Sequence, residues 1–144
     1  PLTKRALYRA DAFYNWESVI QPSLEKGKLV LSDRNWVSDL AYGTVLTKCD
    51  MEQLLDFNLA LVPEMQALTN VIYLELPKEV REYRLSKNMA DAMDTLGEEV
   101  RDKIASAYEE VLRDWVPSGQ VHRVSTLESE ELVTQKIVDL ILSQ

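Results

Sequence analysis

Apolar positions along this chain follow two different periods. From Thr3 to Gly27 they recur three and four residues apart, at Ala6, Leu7, Ala10, Phe13, Tyr14, Val19 and Ile20. That is the spacing of one helical face. Pro22 is expected to break the helix, and Gly27 to stop a last short turn. The run Lys28-Leu29-Val30-Leu31-Ser32 has no helical period. Bounded by Gly27 on one side and Asp33-Arg34 on the other, it reads as a buried strand. Residues 35–47 are mixed: Ser38 is placed as the cap of a short helix through Tyr42, ended by Gly43. Asp50 caps a longer helix to Gln66, with Leu54, Leu55, Leu59 and Val62 on one side and Pro63 near its end.

The second half repeats the alternation. Val71 to Leu76 is a strand stopped by Pro77, and a helix from Lys78 to Lys87 follows at once. Asn88 to Asp94 shows no period and reads as a mobile crossover. Thr95 and Glu98 form a capping box for a helix to Trp115, with Val100, Ile104, Tyr108, Val111 and Leu112 as its apolar set. Pro117-Ser118-Gly119 is a turn, and Val121 to Val124 a third, short strand. Ser125 and Glu128 are placed as a capping box for the last helix, which carries Leu132, Val133, Ile137, Leu140 and Ile141. Strands alternating with helices predict an α/β fold with a parallel sheet covered on its faces. At 144 residues a single domain is expected.

Charge and cysteine usage narrow the partners. A net charge of -8 argues against nucleic acid, whose phosphates need clustered Lys and Arg. It leaves room for a small phosphorylated ligand. The single cysteine, Cys49, has no internal disulfide partner, so a reducing, cytoplasmic setting is expected. No apolar run approaches the ~20 residues that span a bilayer, and no secretory signal is visible. The chain begins at Pro1 without an initiator Met, so it is expected to be processed or part of a longer polypeptide. Asp33-Arg34 stands at the carboxyl end of an expected strand, where ligands bind in parallel sheets. An arginine there suits a phosphate, because its guanidinium is planar, always charged and bidentate.

Several segments, in unbroken order, resemble thymidylate kinase, a nucleoside monophosphate kinase of the P-loop class. The family typically reads L-F-A-A-D-R, then E-x-V-I-x-P-A-L-x-x-G, then a strand ending in D-R-Y and x-x-S-x-x-A-Y-Q. Here stand Leu7-Tyr8-Arg9-Ala10-Asp11-Ala12, then Glu17-Ser18-Val19-Ile20-Gln21-Pro22-Ser23-Leu24-Glu25-Lys26-Gly27. Leu29-Val30-Leu31-Ser32-Asp33-Arg34-Asn35 follows, and then Ser38-Asp39-Leu40-Ala41-Tyr42. Val71 to Val80, with Pro77-Lys78-Glu79 inside it, matches L-Y-L-D-V-x-P-E-V.

The resemblance implies a three-layer αβα domain over residues 1–144 with a parallel sheet of the P-loop kinase type. The chain would form roughly the carboxyl-terminal two-thirds of it. No G-x-x-x-x-G-K-[S/T] loop occurs among the four glycines. The family's first strand, loop and second strand would therefore lie outside these residues. The central strand is missing here or supplied from outside, which leaves its neighbours with unpaired edges.

The same resemblance assigns roles. Arg34 would bind the acceptor phosphate, and Asp33 would hold Mg²⁺ through water or orient that phosphate. Tyr8 would stack on the nucleobase, while Ser38 and Tyr42 would line the nucleoside pocket. A lid at about residues 86–97 would close over the donor ATP, with Arg84 and Lys87 the nearest cations. A homodimer is implied in the same way.

Ala12 departs from the family, which usually carries an arginine there to contact the thymine carbonyl. Arg9, one turn back, either compensates or is a solvated charge. Asn35 replaces the usual aromatic after D-R, and no arginine occurs from Asn88 to Thr95. Two readings follow. One is a kinase moving the ATP γ-phosphate to a deoxynucleoside monophosphate, dTMP by resemblance or another monophosphate. The other is a kinase-like nucleotide-binding or assembly subunit without catalysis. Outside this pattern His122 reads as a structural histidine. Trp16, Trp36 and Trp115 read as packing residues. Asp91, Asp94, Glu98 and Glu99 read as a solvated helix start.

Overall fold

The amino-terminal helical period becomes α1 (Leu2–Asn15), which runs directly into a π-helical turn (Trp16–Ile20) and a short α2 (Gln21–Glu25). Pro22 does not break the helix. It occupies the first turn of α2, where its missing N–H costs nothing. Gly27, at φ +70°, ends it as expected. The Gly27 amide donates to Leu24 O at 2.8 Å and the Lys28 amide to Ser23 O at 3.0 Å, the paired bonds of a Schellman motif.

The computed structural model describes residues 2–47, 49–54, 56, 70–87 and 96–143. It divides into two compact units, Pro1–Ala67 with Asp102–Val111, and Leu68–Arg101 with Leu112–Gln144. In the first unit, the residues of α1 that turn inward match the expected set only at Phe13. Leu7 and Tyr14 are 67% and 69% exposed, while Arg9 is 5% exposed and Ala12, Phe13 and Trp16 are half-buried. Arg9, Ala12, Phe13 and Trp16 share the i, i+3, i+4, i+7 spacing of one stripe. A cation holds a place in that stripe because it has a carboxylate and an aromatic ring to face there.

The expected buried strand from Lys28 to Ser32 does not form. This segment is irregular, and Leu29 and Leu31 are each 69% exposed. A buried strand needs neighbours for its N–H and C=O groups. Among the described residues, the only sheet is a pair of strands further along the chain. A long helix, α3 (Trp36–Thr47), follows. Its cap is Asn35, not Ser38: Asn35 Oδ1 accepts from the Val37 amide at 2.9 Å. Gly43 does not end it either; it is buried inside the helix. Burial among Trp36, Val37, Leu40 and Ala41 outweighs the ~1 kcal/mol that an internal glycine costs. Asp50 does cap the next helix, accepting from the Glu52 amide at 2.7 Å. Met51 and Leu54 are buried there. Leu55, Leu59, Val62 and Pro63 lie outside the described residues, as does the expected crossover from Asn88 to Asp94.

The second unit holds β1 (Val71–Glu75) and β2 (Val121–Ser125), paired in parallel from Val71↔Val121 to Glu75↔Ser125. The expected α/β class with a parallel sheet is therefore present. Between the strands come α4 (Lys78–Lys87) and α5 (Glu98–Asp114). Glu82 pairs with Arg101, and Lys78 with Glu98 at 2.7 Å. The Gly97 carbonyl accepts the first amides of α5, from Val100 and Arg101; Thr95, the expected cap, lies outside the described residues. Of α5, Ile104, Ala107 and Val111 are buried residues of the first unit and Leu112 a buried residue of the second. The last helix, α6 (Glu130–Leu142), starts one turn later than expected. Ser129, not Ser125, is its cap and accepts from the Leu132 amide. His122 Nε2 lies 2.7 Å from Asn70 Oδ1, the structural role expected of it.

Candidate functional site

The Asp33-Arg34 pair sits in the irregular segment just before α3. Arg34 adopts φ +65°, the left-handed region that costs a non-glycine residue roughly 1–2 kcal/mol. Local bonds hold it there. Ser32 Oγ donates to the Arg34 carbonyl at 2.7 Å, and Asn35 begins the helix behind it, its carbonyl accepting from the Asp39 amide at 3.1 Å. Strained backbone at an exposed charged residue points to function.

The Arg34 guanidinium lies over the Tyr42 ring, 5.1 Å from its centroid. Tyr42 is two turns along α3. Its ring meets that of Tyr108 at 6.0 Å and 88°, an edge-to-face contact. The Tyr108 hydroxyl donates to Ser38 Oγ at 2.7 Å. Ser38 and Tyr42, four residues apart, share a face of α3. One exposed cation, two tyrosines and a serine thus form one connected group.

Electrostatics keep the group in its working state. Burial lowers the Arg34 pKa, but its interactions with Tyr42, and beyond it Tyr108 and Asp33, outweigh that, so the net shift is upward. The guanidinium stays charged. Burial pushes the Tyr108 hydroxyl above its usual value, partly opposed by its bond to Ser38. It remains a neutral donor. Chemically, such an arrangement presents a positioned planar cation beside hydroxyls, suited to an oxyanion attached to a polar, flat ligand.

The structure brings Arg34, Ser38 and Tyr42 together. Asp33 is exposed beside Arg34. Tyr8 is 62% exposed on α1. Arg84 and Lys87 belong to the second unit and are engaged there: Arg84 Nη2 donates to Thr126 O at 2.8 Å, and Lys87 Nζ lies 5.7 Å from the Tyr83 centroid. Arg9 is no solvated charge. Its Nη1 lies 3.4 Å from Asp39 Oδ2, and its guanidinium 5.9 Å from the Phe13 centroid. That pair joins α1 to α3, Arg9 one residue after Tyr8 and Asp39 one residue after Ser38.

Two features escaped the sequence reading. Tyr108 was visible only as one more apolar position of α5. The stripe of Arg9, Ala12, Phe13 and Trp16 carried a signal in its spacing, masked by the rule that arginine faces water. Among the described residues, no three His, Cys, Asp or Glu side chains gather as a metal cage. No described helix is long and apolar enough to cross a membrane.

A parallel α/β chain with an arginine-led group just ahead of a helix has the makings of a phosphate-handling protein. Comparison with known proteins makes the class specific. The model of the Thymidylate kinase family matches residues 1–137. The thymidylate kinase of Prochlorococcus marinus is 31% identical over 140 residues, covering 90% of this chain and 62% of the relative. A probable thymidylate kinase of Thermococcus kodakarensis is 30% identical over 136 residues, covering 94% of this chain and 62% of the relative. That of Aliarcobacter butzleri is 31% identical over 107 residues, covering 74% and 53%. The chain belongs to the thymidylate kinase family. It spans about three-fifths of the length of the first two relatives, and the P-loop kinase αβα fold of that family accords with its parallel sheet.

Proposed function

We propose that the protein carrying this chain is a nucleoside monophosphate kinase. It moves the γ-phosphoryl group of ATP to a deoxynucleoside monophosphate, dTMP by family likeness, on the way to dTTP. The observation that carries this is the Arg34 guanidinium, exposed at its working face and held over Tyr42 beside Ser38 and Tyr108. Phosphoryl transfer is largely positioning and charge neutralisation. In this reading Arg34 grips the acceptor phosphate, and Ser38 and Tyr42 line the nucleoside side. Tyr8, exposed on α1, offers its ring to the base.

Mg²⁺ keeps several waters and takes one or two carboxylates plus substrate phosphates. A single exposed Asp33 fits that habit, with no protein cage needed. When bound, the ion neutralises phosphate charge. Asp33 would hold it through water, or orient the acceptor. The chain's residues form the acceptor half of the site. The sequence holds no Gly-rich Lys-Ser/Thr loop for the donor. Arg84 and Lys87 flank the lid at about 86–97. A cytoplasmic homodimer completes the reading.

A second reading, a nucleotide-binding or assembly subunit without catalysis, draws on Ala12 and on Arg84 and Lys87 being engaged with Thr126 and Tyr83. A coupled ADP-release assay with dTMP, dUMP, dCMP and dGMP separates the two. The kinase reading expects turnover with dTMP. Monophosphate binding with no ADP from any of the four would overturn it in favour of the second.

A further inference from the structure

We propose that Tyr108 is a positioning residue for Arg34, holding Ser38 and Tyr42 so that the guanidinium stands ready for the phosphate of a nucleoside monophosphate. The inference rests on the reading that Arg34 grips that phosphate. Arg34 is held at its backbone by the Ser32 hydroxyl, which donates to its carbonyl, and at its tip by the Tyr42 ring. The tip is held only as well as the ring is. Tyr42 and Ser38 sit one turn apart on α3, and Tyr108 touches both: its ring meets Tyr42 at 6.0 Å and 88°, and its hydroxyl reaches Ser38 Oγ at 2.7 Å.

The hydroxyl bond fixes how the Tyr108 ring is turned, and the ring contact fixes Tyr42. Tyr108 comes from α5, 70 positions from Ser38 in sequence, so it braces α3 from outside the acceptor motif. An arginine on an unbraced ring would have to be ordered at the moment of binding, at a cost in affinity. Burial keeps the hydroxyl protonated and able to donate.

Tyr108→Phe keeps the ring and removes the bond to Ser38. The test uses the whole natural polypeptide and calorimetric binding of dTMP and of thymidine, which lacks the phosphate. Tyr108→Phe is expected to weaken dTMP roughly three- to tenfold, the loss of one neutral hydrogen bond. Thymidine binding should weaken less, because Ser38 and Tyr42 also line the nucleoside side. In an Arg34→Ala background the same substitution should weaken dTMP no more than it weakens thymidine. An equal loss for thymidine, or a loss for dTMP as large without Arg34 as with it, would mean general damage and overturn the inference.

Wild-type protein that binds dTMP no tighter than thymidine would instead refute the role given to Arg34. A second measurement does not depend on that role. The Arg34 Nε–Hε resonance should move and broaden in Tyr108→Phe. A resonance identical to wild type would overturn the bracing on its own.

Discussion

Replacing Asp39 by Ala would remove the carboxylate that lies 3.4 Å from Arg9, in a site where the Arg9 side chain is 7% exposed and that of Asp39 17%. At an effective dielectric near 20, unit charges at that distance attract by about 5 kcal/mol. Most of that offsets the desolvation of the two ions, so the intact pair contributes little net. Removing one partner is different, because the other ion stays desolvated. Loss of a buried partner typically costs about 3–5 kcal/mol. Asp39 is partly exposed, so the lower end applies: about 3 kcal/mol for Asp39→Ala. The assay is urea unfolding of the whole polypeptide, followed by tryptophan fluorescence from Trp16 and Trp36. The double substitution Arg9→Met with Asp39→Leu should be less damaging than Asp39→Ala alone, since it removes the stranded charge and keeps the apolar bulk. An Asp39→Ala cost under about 1 kcal/mol, or a double variant as unstable as the sum of its singles, would refute the idea that Arg9 is buried because Asp39 faces it.

Three further outcomes follow from single contacts. Arg34→Gly should stabilise the fold by up to about 1 kcal/mol by relieving the left-handed backbone, while raising the acceptor KM more than tenfold; an unchanged KM would remove Arg34 from the acceptor site. The Glu82 carboxyl is held below its usual 4.5, chiefly by its hydrogen bond from Arg101, with Arg81 adding to it. A depressed carboxylate contributes stability above the unfolded-state value and loses it as pH falls through the folded one. Glu82→Gln should therefore flatten part of the stability loss below about pH 4.5, and an acid limb identical to wild type would sink that assignment. Ser129→Ala should cost about 1 kcal/mol as the loss of the α6 cap, and Ser125→Ala much less; the reverse order in thermal melts would restore the earlier capping box.

Local chemistry that a few neighbouring residues complete was legible in the chain. Gly27 stops its helix, Asp50 caps the next, and Val71 and Val121 open strands, because turn geometry, capping oxygens and β-branched runs act within one or two turns. The ordered motifs from Leu7 to Tyr42 pointed to the family that the comparisons then matched over residues 1–137. Three competing caps were misjudged. Ser38 and Ser125 had the right residue type, and only the start of the helix decides which candidate oxygen meets an open amide; Gly43, expected as a stop, is buried inside α3.

What the tertiary structure decided is everything that needs a partner distant in sequence. Leu29-Val30-Leu31 has strand composition, yet a strand exists only where another backbone pairs with it, and the described residues pair β1 with β2 alone. Arg9 sits in an inward stripe because Asp39, thirty positions on, neutralises it. The group around Arg34 is the plainest case. Arg34, Ser38 and Tyr42 were candidates from sequence, but Ser38 and Tyr42 are joined through Tyr108, whose hydroxyl and ring edge come from a helix far along the chain. Periodicity says which side of a helix is apolar. It does not say which residue waits on the other side, and that pairing is what orients the one exposed cation of the group.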